Sequence, residues 1–118
     1  AKAQALTVIG DVYDRDVLLV DDEIDTGGTM VQAVDLLKEH GARDVYVIFV
    51  HPVLSAQAAP RLAALPVKQF ITTDSIPLPP EKRALFGDRL VTLSVSPLLG
   101  EVILRANQGR SVGEMFNE

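Results

Sequence analysis

Short apolar runs alternate along this chain with stretches whose apolar side chains recur every three or four positions. Thr7 to Gly10 reads as a short strand, and Tyr13-Asp14-Arg15-Asp16 as a turn. Val17-Leu18-Leu19-Val20 is a continuous run of branched residues, which predicts a strand buried on both faces of a parallel sheet. The run ends in Asp21-Asp22, and Glu23 to Gly28 follows as a loop. From Thr29, the positions Met30, Ala33, Val34 and Leu37 make one apolar helix face, with Gln32, Asp35, Lys38 and Glu39 opposite. Gly41 closes that helix, and Val45 to Val50 is the next buried strand. Residues 17–50 thus form a strand, a crossover helix and a strand, whose handedness should be right-handed.

The second half is less regular. Ser55 to Leu65 has helical composition, but Pro60 interrupts it, so the helix should start at Pro60 or bend there. Gln69 to Thr72 is a weak strand, and the prolines between Thr73 and Pro80 require a loop. Leu90 to Val95 is a further strand. Ser96-Pro97 then starts a helix, serine as cap, with Leu99, Val102, Ile103 and Ala106 as its buried face and Gly109 as its end. Ser111 to Phe116 makes a short turn. Four or five strands alternating with three helices predict an α/β domain with a mostly parallel sheet. Such a sheet wants helices on both faces, and the N-terminal stretch supplies none.

The chain has 118 residues, enough for one domain with a real core, to which Phe49, Phe70 and Phe86 are assigned. It has no cysteine, which removes disulfides and thiolate metal sites, and two histidines leave little for a structural zinc. No apolar run is long enough to span a bilayer and no leader opens the chain, so a cytoplasmic location is expected. The net charge of −5 is uneven: residues 1–50 carry −6 and residues 51–118 carry +1. Four carboxylates, Asp21, Asp22, Glu23 and Asp25, crowd together. That balance argues against nucleic-acid binding. Lys82, Arg83 and Arg89 form a small basic group that reads as solvated surface, and His51 beside Pro52 reads as a turn residue.

The chemistry is concentrated in Val17 to Thr29, VLLVDDEIDTGGT. Two acids end a buried strand at the carboxyl edge, where open α/β sheets bind ligands. Asp25-Thr26-Gly27-Gly28-Thr29 then leads into a helix. Glycines let backbone N–H groups converge, the helix start adds partial positive charge, and Thr26 and Thr29 add hydroxyls. This is a cradle for a phosphate monoester. Asp21 and Asp22 suit vicinal hydroxyls, or Mg²⁺ directly or through water. A sugar phosphate would satisfy both ends of the loop. A Walker P-loop is excluded because the loop has no lysine, and an EF-hand because Gln32 stands where glutamate is needed. A ligand-free turn would need one of these acids, and four repel one another.

VDDEIDTGGT resembles the phosphoribosyl diphosphate (PRPP) binding motif of type I phosphoribosyltransferase folds. HPVLS (51–55), TTDSIPLP (72–79), LSVSPLLGEVI (93–103) and GRSVGEMF (109–116) resemble, in order and spacing, the ribose-phosphate pyrophosphokinase or PRPP synthetase family. The resemblance covers essentially the whole chain. It implies a partial type I phosphoribosyltransferase-like domain over 1–118, the carboxyl-terminal part of a synthetase, without its first strand and helix and without the family's amino-terminal domain. It implies transfer of diphosphate from MgATP to ribose 5-phosphate, giving PRPP and AMP, with Mg²⁺ and ATP as cofactor and co-substrate.

By the same resemblance, Asp21 and Asp22 engage the ribose hydroxyls, and Asp25, Thr26, Gly27, Gly28 and Thr29 hold the 5-phosphate. Ser111 and Val112 border a regulatory site at a subunit interface, although Gly113 and Met115 depart from that motif. The catalytic lysine and arginine are expected upstream of this chain, and Lys2 is assigned no role. Partners are further copies or the missing half of the same enzyme. Two alternatives stand beside this reading, a non-catalytic synthetase-like subunit and a base-transferring phosphoribosyltransferase.

Overall fold

The computed structural model describes residues 6–117; Lys2 lies outside them. Four strands, β1 (Val17–Ile24), β2 (Val45–Pro52), β3 (Gln69–Thr73) and β4 (Leu90–Leu93), form one parallel sheet in the order β1-β2-β3-β4. Val17 lies opposite Val45, Tyr46 opposite Gln69, and Phe70 opposite Leu90. Helices α1 (Gly28–Glu39), α2 (Ala58–Ala63) and α3 (Pro80–Phe86) fill the three crossovers. Each strand adds to the same side of the one before. Right-handed crossovers therefore put all three helices on one face.

The α/β class with a parallel sheet is what the pattern predicts. Burial corrects one part of it. Val45, Val47, Phe49, Phe70 and Thr72 face the helices and are buried. At alternate positions on β1, Leu18 and Val20 are 62% and 71% exposed. The run Val17–Val20 is covered on one face, not two. Its composition carries no information about which neighbours arrive.

The core lies between sheet and helices. Met30, Val34 and Leu37 of α1, Ala58, Ala59 and Leu62 of α2, and Phe86 of α3 close over the strands. Phe70 and Phe86 meet edge to face, with centroids 5.0 Å apart and planes at 67°. The Arg89 guanidinium sits 5.4 Å from the Phe70 centroid. Arg89 also donates to the carbonyls of Ala63, Leu65 and Val67, which follow or end α2. Lys82 donates to the Leu54 carbonyl at 2.8 Å. Two of the three basic residues read as solvated surface are therefore structural ties, because the backbone they serve only becomes their neighbour on folding.

Other boundaries move for local reasons. Thr7 to Gly10 forms no strand: Ile9 is 97% exposed, and among the described residues β1 pairs with β2 alone. Helix α2 begins two residues before Pro60, which sits in the first turn where its missing N–H is not needed. Helix α3 was hidden inside the proline-rich stretch. Pro80 opens it and Glu81 complements its first turn. At α4 (Ser96–Asn107), Val95 rather than Ser96 takes the cap position. The Val95 N–H is held by the Asp74 carboxylate at 2.8 Å, and that bond, with the Ser94 hydroxyl, holds Asp74 below its ordinary pKa. Helix α4 buries none of its residues, and Leu99 and Ile103 are exposed. Its expected buried face has no cover among the described residues. Gly109, at φ 68°, follows the end of α4 as expected, and Gly113–Phe116 makes the final 3-10 turn.

At the other end of the sheet, Arg43 grips Asp16 through Nε at 2.9 Å and Nη2 at 3.1 Å. That pairing holds the Asp16 carboxyl below its usual range. It ties the turn before β1 to the turn before β2, and so helps set their register. Gly41 makes the α1 turn at φ 83°, and a Cβ there would strike the Tyr13 ring at 2.5 Å. Among the described residues no helix is long and apolar enough to cross a membrane.

Among the described residues, the hydroxyl of Thr72 is the buried side-chain polar atom without a hydrogen-bond partner. A buried, unpaired hydroxyl costs roughly 1–3 kcal/mol. Thr72→Val keeps the shape and removes the hydroxyl. It is expected to raise the stability by about 1 kcal/mol, seen as a melting point higher by roughly 4 °C. An unchanged or lower melting point would show that the hydroxyl finds a partner in solution.

Candidate functional site

The candidate site is a cleft of about 220 Å³ at the carboxyl edge of β1 and the start of α1. It is lined by Asp21, Glu23, Ile24, Asp25, Thr26, Gly27, Gly28, Thr29 and Met30. Six of the seven residues assigned to substrate binding come together here. Asp22 does not line the cleft; its two neighbours on β1 do. The reason is the period of a strand. Successive side chains leave on opposite faces, so Asp21 and Glu23 share a side that Asp22 does not. Because β1 runs on through Ile24, Asp21, Asp22 and Glu23 belong to the strand and only Asp25 to the loop after it. Glu23, Ile24 and Met30 line the cleft without being among the assigned residues. Extending the period of two from Leu19 through Asp21 would have found Glu23.

The loop is short and tightly built. Gly27 caps α1 in the left-handed region, at φ 85° and ψ −3°. Its carbonyl accepts the Val31 N–H at 2.9 Å, which is the first bond of the helix. No side chain caps this helix start, and its first turn carries no acid. The first-turn N–H groups of a helix lack intrahelical acceptors. Together with the positive end of the α1 dipole, they make the loop receptive to an anion. Gly27 also packs closely: a Cβ there would lie 3.6 Å from Ala58 Cβ and 3.6 Å from Leu62 Cγ. The loop thus rests on α2. Thr26 and Thr29 are exposed beside it, with hydroxyls available to a ligand.

The acids above the loop are arranged in series. The Asp22 N–H donates to Asp21 Oδ1 at 2.8 Å, and the Glu23 N–H donates to Asp22 Oδ1 at 2.8 Å. Asp22 is held below its ordinary pKa. Hydrogen bonding with the Asp21 side chain contributes most, then the Glu23 amide, with His51 adding attraction. Such a carboxylate stays ionised at neutral pH and can only accept hydrogen bonds or bind a cation. His51 does not sit in a turn. It continues β2, opposite Glu23, and its Nδ1 is hydrogen-bonded to Ser75 Oγ at 2.8 Å. Ser75 in turn donates to the Val50 carbonyl at 3.2 Å, so the segment after β3 is brought to the same sheet edge.

Among the described residues no group of three or more His, Cys, Asp or Glu side chains is placed to hold a metal ion. Ser111 and Val112 lie after α4 and take no part in the cleft lining. Ser111 instead joins a local network, its carbonyl accepting from Arg105 at 2.9 Å and its hydroxyl from the Glu114 N–H at 3.3 Å.

Comparison with known proteins bears on the whole chain. The family model described as the phosphoribosyl synthetase-associated domain matches residues 1–117. A ribose-phosphate pyrophosphokinase of Caldanaerobacter subterraneus is 46% identical over 114 residues, which is 97% of this chain and 35% of that protein. One from Haemophilus influenzae is 45% identical over 115 residues, 98% of this chain and 36% of that protein. Among solved structures, phosphoribosylpyrophosphate synthetase from Mycobacterium smegmatis superposes with a TM-score of 0.83 at 40% identity, over 92% of this chain and 35% of that one. The chain spans about a third of the length of the relatives it matches.

Proposed function

The chain belongs to the phosphoribosyl synthetase-associated domain family, and from that premise we propose that it is the ribose 5-phosphate-binding part of a ribose-phosphate diphosphokinase. The reaction proposed is transfer of diphosphate from MgATP to ribose 5-phosphate, yielding PRPP and AMP. The observation that carries the reading is the cleft itself: an uncapped helix start and a left-handed glycine at one end, a strand-borne carboxylate at the other. A phosphate fits the first and sugar hydroxyls the second. In this reading Gly27, Gly28, Thr26 and Thr29 hold the 5-phosphate, and Asp21 accepts from the ribose. Asp22 extends the acidic edge beside the cleft.

Magnesium belongs to the proposal. The donors at the cleft are hard carboxylate oxygens, of the kind an ion takes when it keeps waters and binds one or two carboxylates plus substrate phosphates. Of the two acids assigned to the ion, Asp21 lines the cleft and would hold it there with the substrate phosphates, and the ion would supply charge neutralisation for the diphosphate. The proposal further takes the chain to be the carboxyl-terminal part of such an enzyme, with the ATP-handling residues elsewhere; its share of about a third of the relatives' length supports its being one part of a longer enzyme. The same share favours one second reading, a non-catalytic subunit that accompanies an active enzyme.

Calorimetric titration with ribose 5-phosphate tests the binding reading. The chain is expected to bind, and Asp21→Ala to weaken binding by at least about tenfold, the size of a lost charged hydrogen bond. Unchanged affinity would remove Asp21 from the site. AMP formation from MgATP and ribose 5-phosphate is expected only when the upstream part of a relative is added. No AMP in that mixture would favour the non-catalytic subunit. AMP from the chain alone would show that catalysis does not need the upstream part.

A further inference from the structure

The segment between β2 and α2 holds two residues in a conformation they rarely adopt. Leu54 and Ala56 have φ of 45° and 50°, in the left-handed region that favours glycine. Leu54 is fully buried there. Strained backbone of this kind persists only where surrounding contacts enforce it, and it clusters at functional sites. Ser55, between the two, is what the strained backbone delivers. Its N–H donates to the Asp25 carbonyl at 2.9 Å, and its hydroxyl donates to the Asp25 carboxylate. One residue earlier, the Leu54 N–H donates to the Ile24 carbonyl at 3.0 Å. From α3, Lys82 locks the Leu54 carbonyl at 2.8 Å. The pairing of β1 with β2 is thereby carried past Pro52 and under the loop that opens the cleft.

Asp25 is the first residue of that loop, and Ser55 engages both its backbone and its side chain. A carboxylate cannot donate to a phosphate. An acid beside a phosphate site is useful when something else needs its charge or its oxygen, and here that is Ser55. We infer that Ser55 is a positioning residue: it fixes Asp25, and through Asp25 holds the Thr26–Thr29 turn in the shape that takes the phosphate of a sugar phosphate. This rests on the ribose 5-phosphate reading above.

The test uses the full chain in three variants, Ser55→Ala, Ser55→Thr and Lys82→Met. Three readouts are taken: ribose 5-phosphate affinity by calorimetry, amide hydrogen exchange at residues 25–29, and thermal melting. Ser55→Ala is expected to bind about tenfold more weakly and to exchange the loop amides about tenfold faster, with little change in melting. Ser55→Thr keeps the hydroxyl and is expected to stay within about threefold of the parent on both. Parental affinity and exchange in Ser55→Ala would overturn the inference. So would a melting loss that Ser55→Thr restores while loop exchange stays constant, since that marks a purely structural role. Should Ser55→Ala fail to fold, Lys82→Met carries the test, and an unchanged loop there overturns the inference. Failure of the parent chain to bind ribose 5-phosphate overturns the function reading, and this inference with it. A binding parent with an indifferent Ser55→Ala overturns this inference alone.

Discussion

Phe70→Ala is expected to lower the unfolding free energy by about 3–5 kcal/mol, as large aromatic truncations in cores do. Phe70 has no exposed surface, and its ring meets Phe86 from α3 and lies under Arg89. It sits on β3, between strands β2 and β4, so the cavity would open where α2 and α3 meet the sheet. A domain of this size has about 5–15 kcal/mol in hand. The loss would therefore move the denaturant midpoint far, with the slope of the transition unchanged. A shift under about 1 kcal/mol would mean that the helices collapse into the space, and that the Phe70–Phe86 contact is replaceable.

The second large effect is on binding. Gly27→Val is expected to weaken ribose 5-phosphate binding about a hundredfold, through loss of two charged backbone hydrogen bonds of roughly 1.5 kcal/mol each. The cause is conformational. A Cβ at Gly27 would make ordinary contact with Ala58 and Leu62, so the first carbon of a side chain is not itself excluded. The φ of 85° is the obstacle. A left-handed conformation costs a residue with a side chain about 1–2 kcal/mol, and a β-branched one suffers most. Valine would relax by rotating the peptide, which turns the carbonyl away from the Val31 N–H and the next amides away from the cleft. Calorimetry with ribose 5-phosphate reads the loss, and circular dichroism confirms that α1 persists. Parental affinity with an intact α1 would show that these amides do not hold the phosphate.

Both predictions concern features that stand differently towards the sequence. The glycine turn was legible because its chemistry is local: glycines before a helix, threonines beside them and acids on the strand all fall within nine residues, 21–29. The period of two along β1 is equally legible in principle, and it separates Asp21, which lines the cleft, from Asp22, which does not. Helix α3 was obscured because proline, a breaker in a helix interior, is favoured at a helix start. Only position within the element tells the two apart.

Long-range ties were not legible. Ser55 lies 30 residues from Asp25, and Lys82 lies 28 from Leu54. A serine after a strand has many uses, and a lysine near prolines is usually solvated. Their roles arise when the ends of β1 and β2 and the start of α3 converge at one edge. The exposed faces of β1 and α4 make the same point in reverse. Their apolar periodicity is correct for burial, but burial needs a second surface.

The sequence by itself determined the α/β alternation, the parallel sheet, most of the core and the glycine turn that opens α1. All of these follow from periodicities and turn chemistry that act over a few residues. The tertiary structure alone decided which face of the sheet is covered, which acid enters the cleft, and what braces the loop. Those depend on the direction in which successive crossovers add strands, and on side chains that meet only once the sheet has assembled.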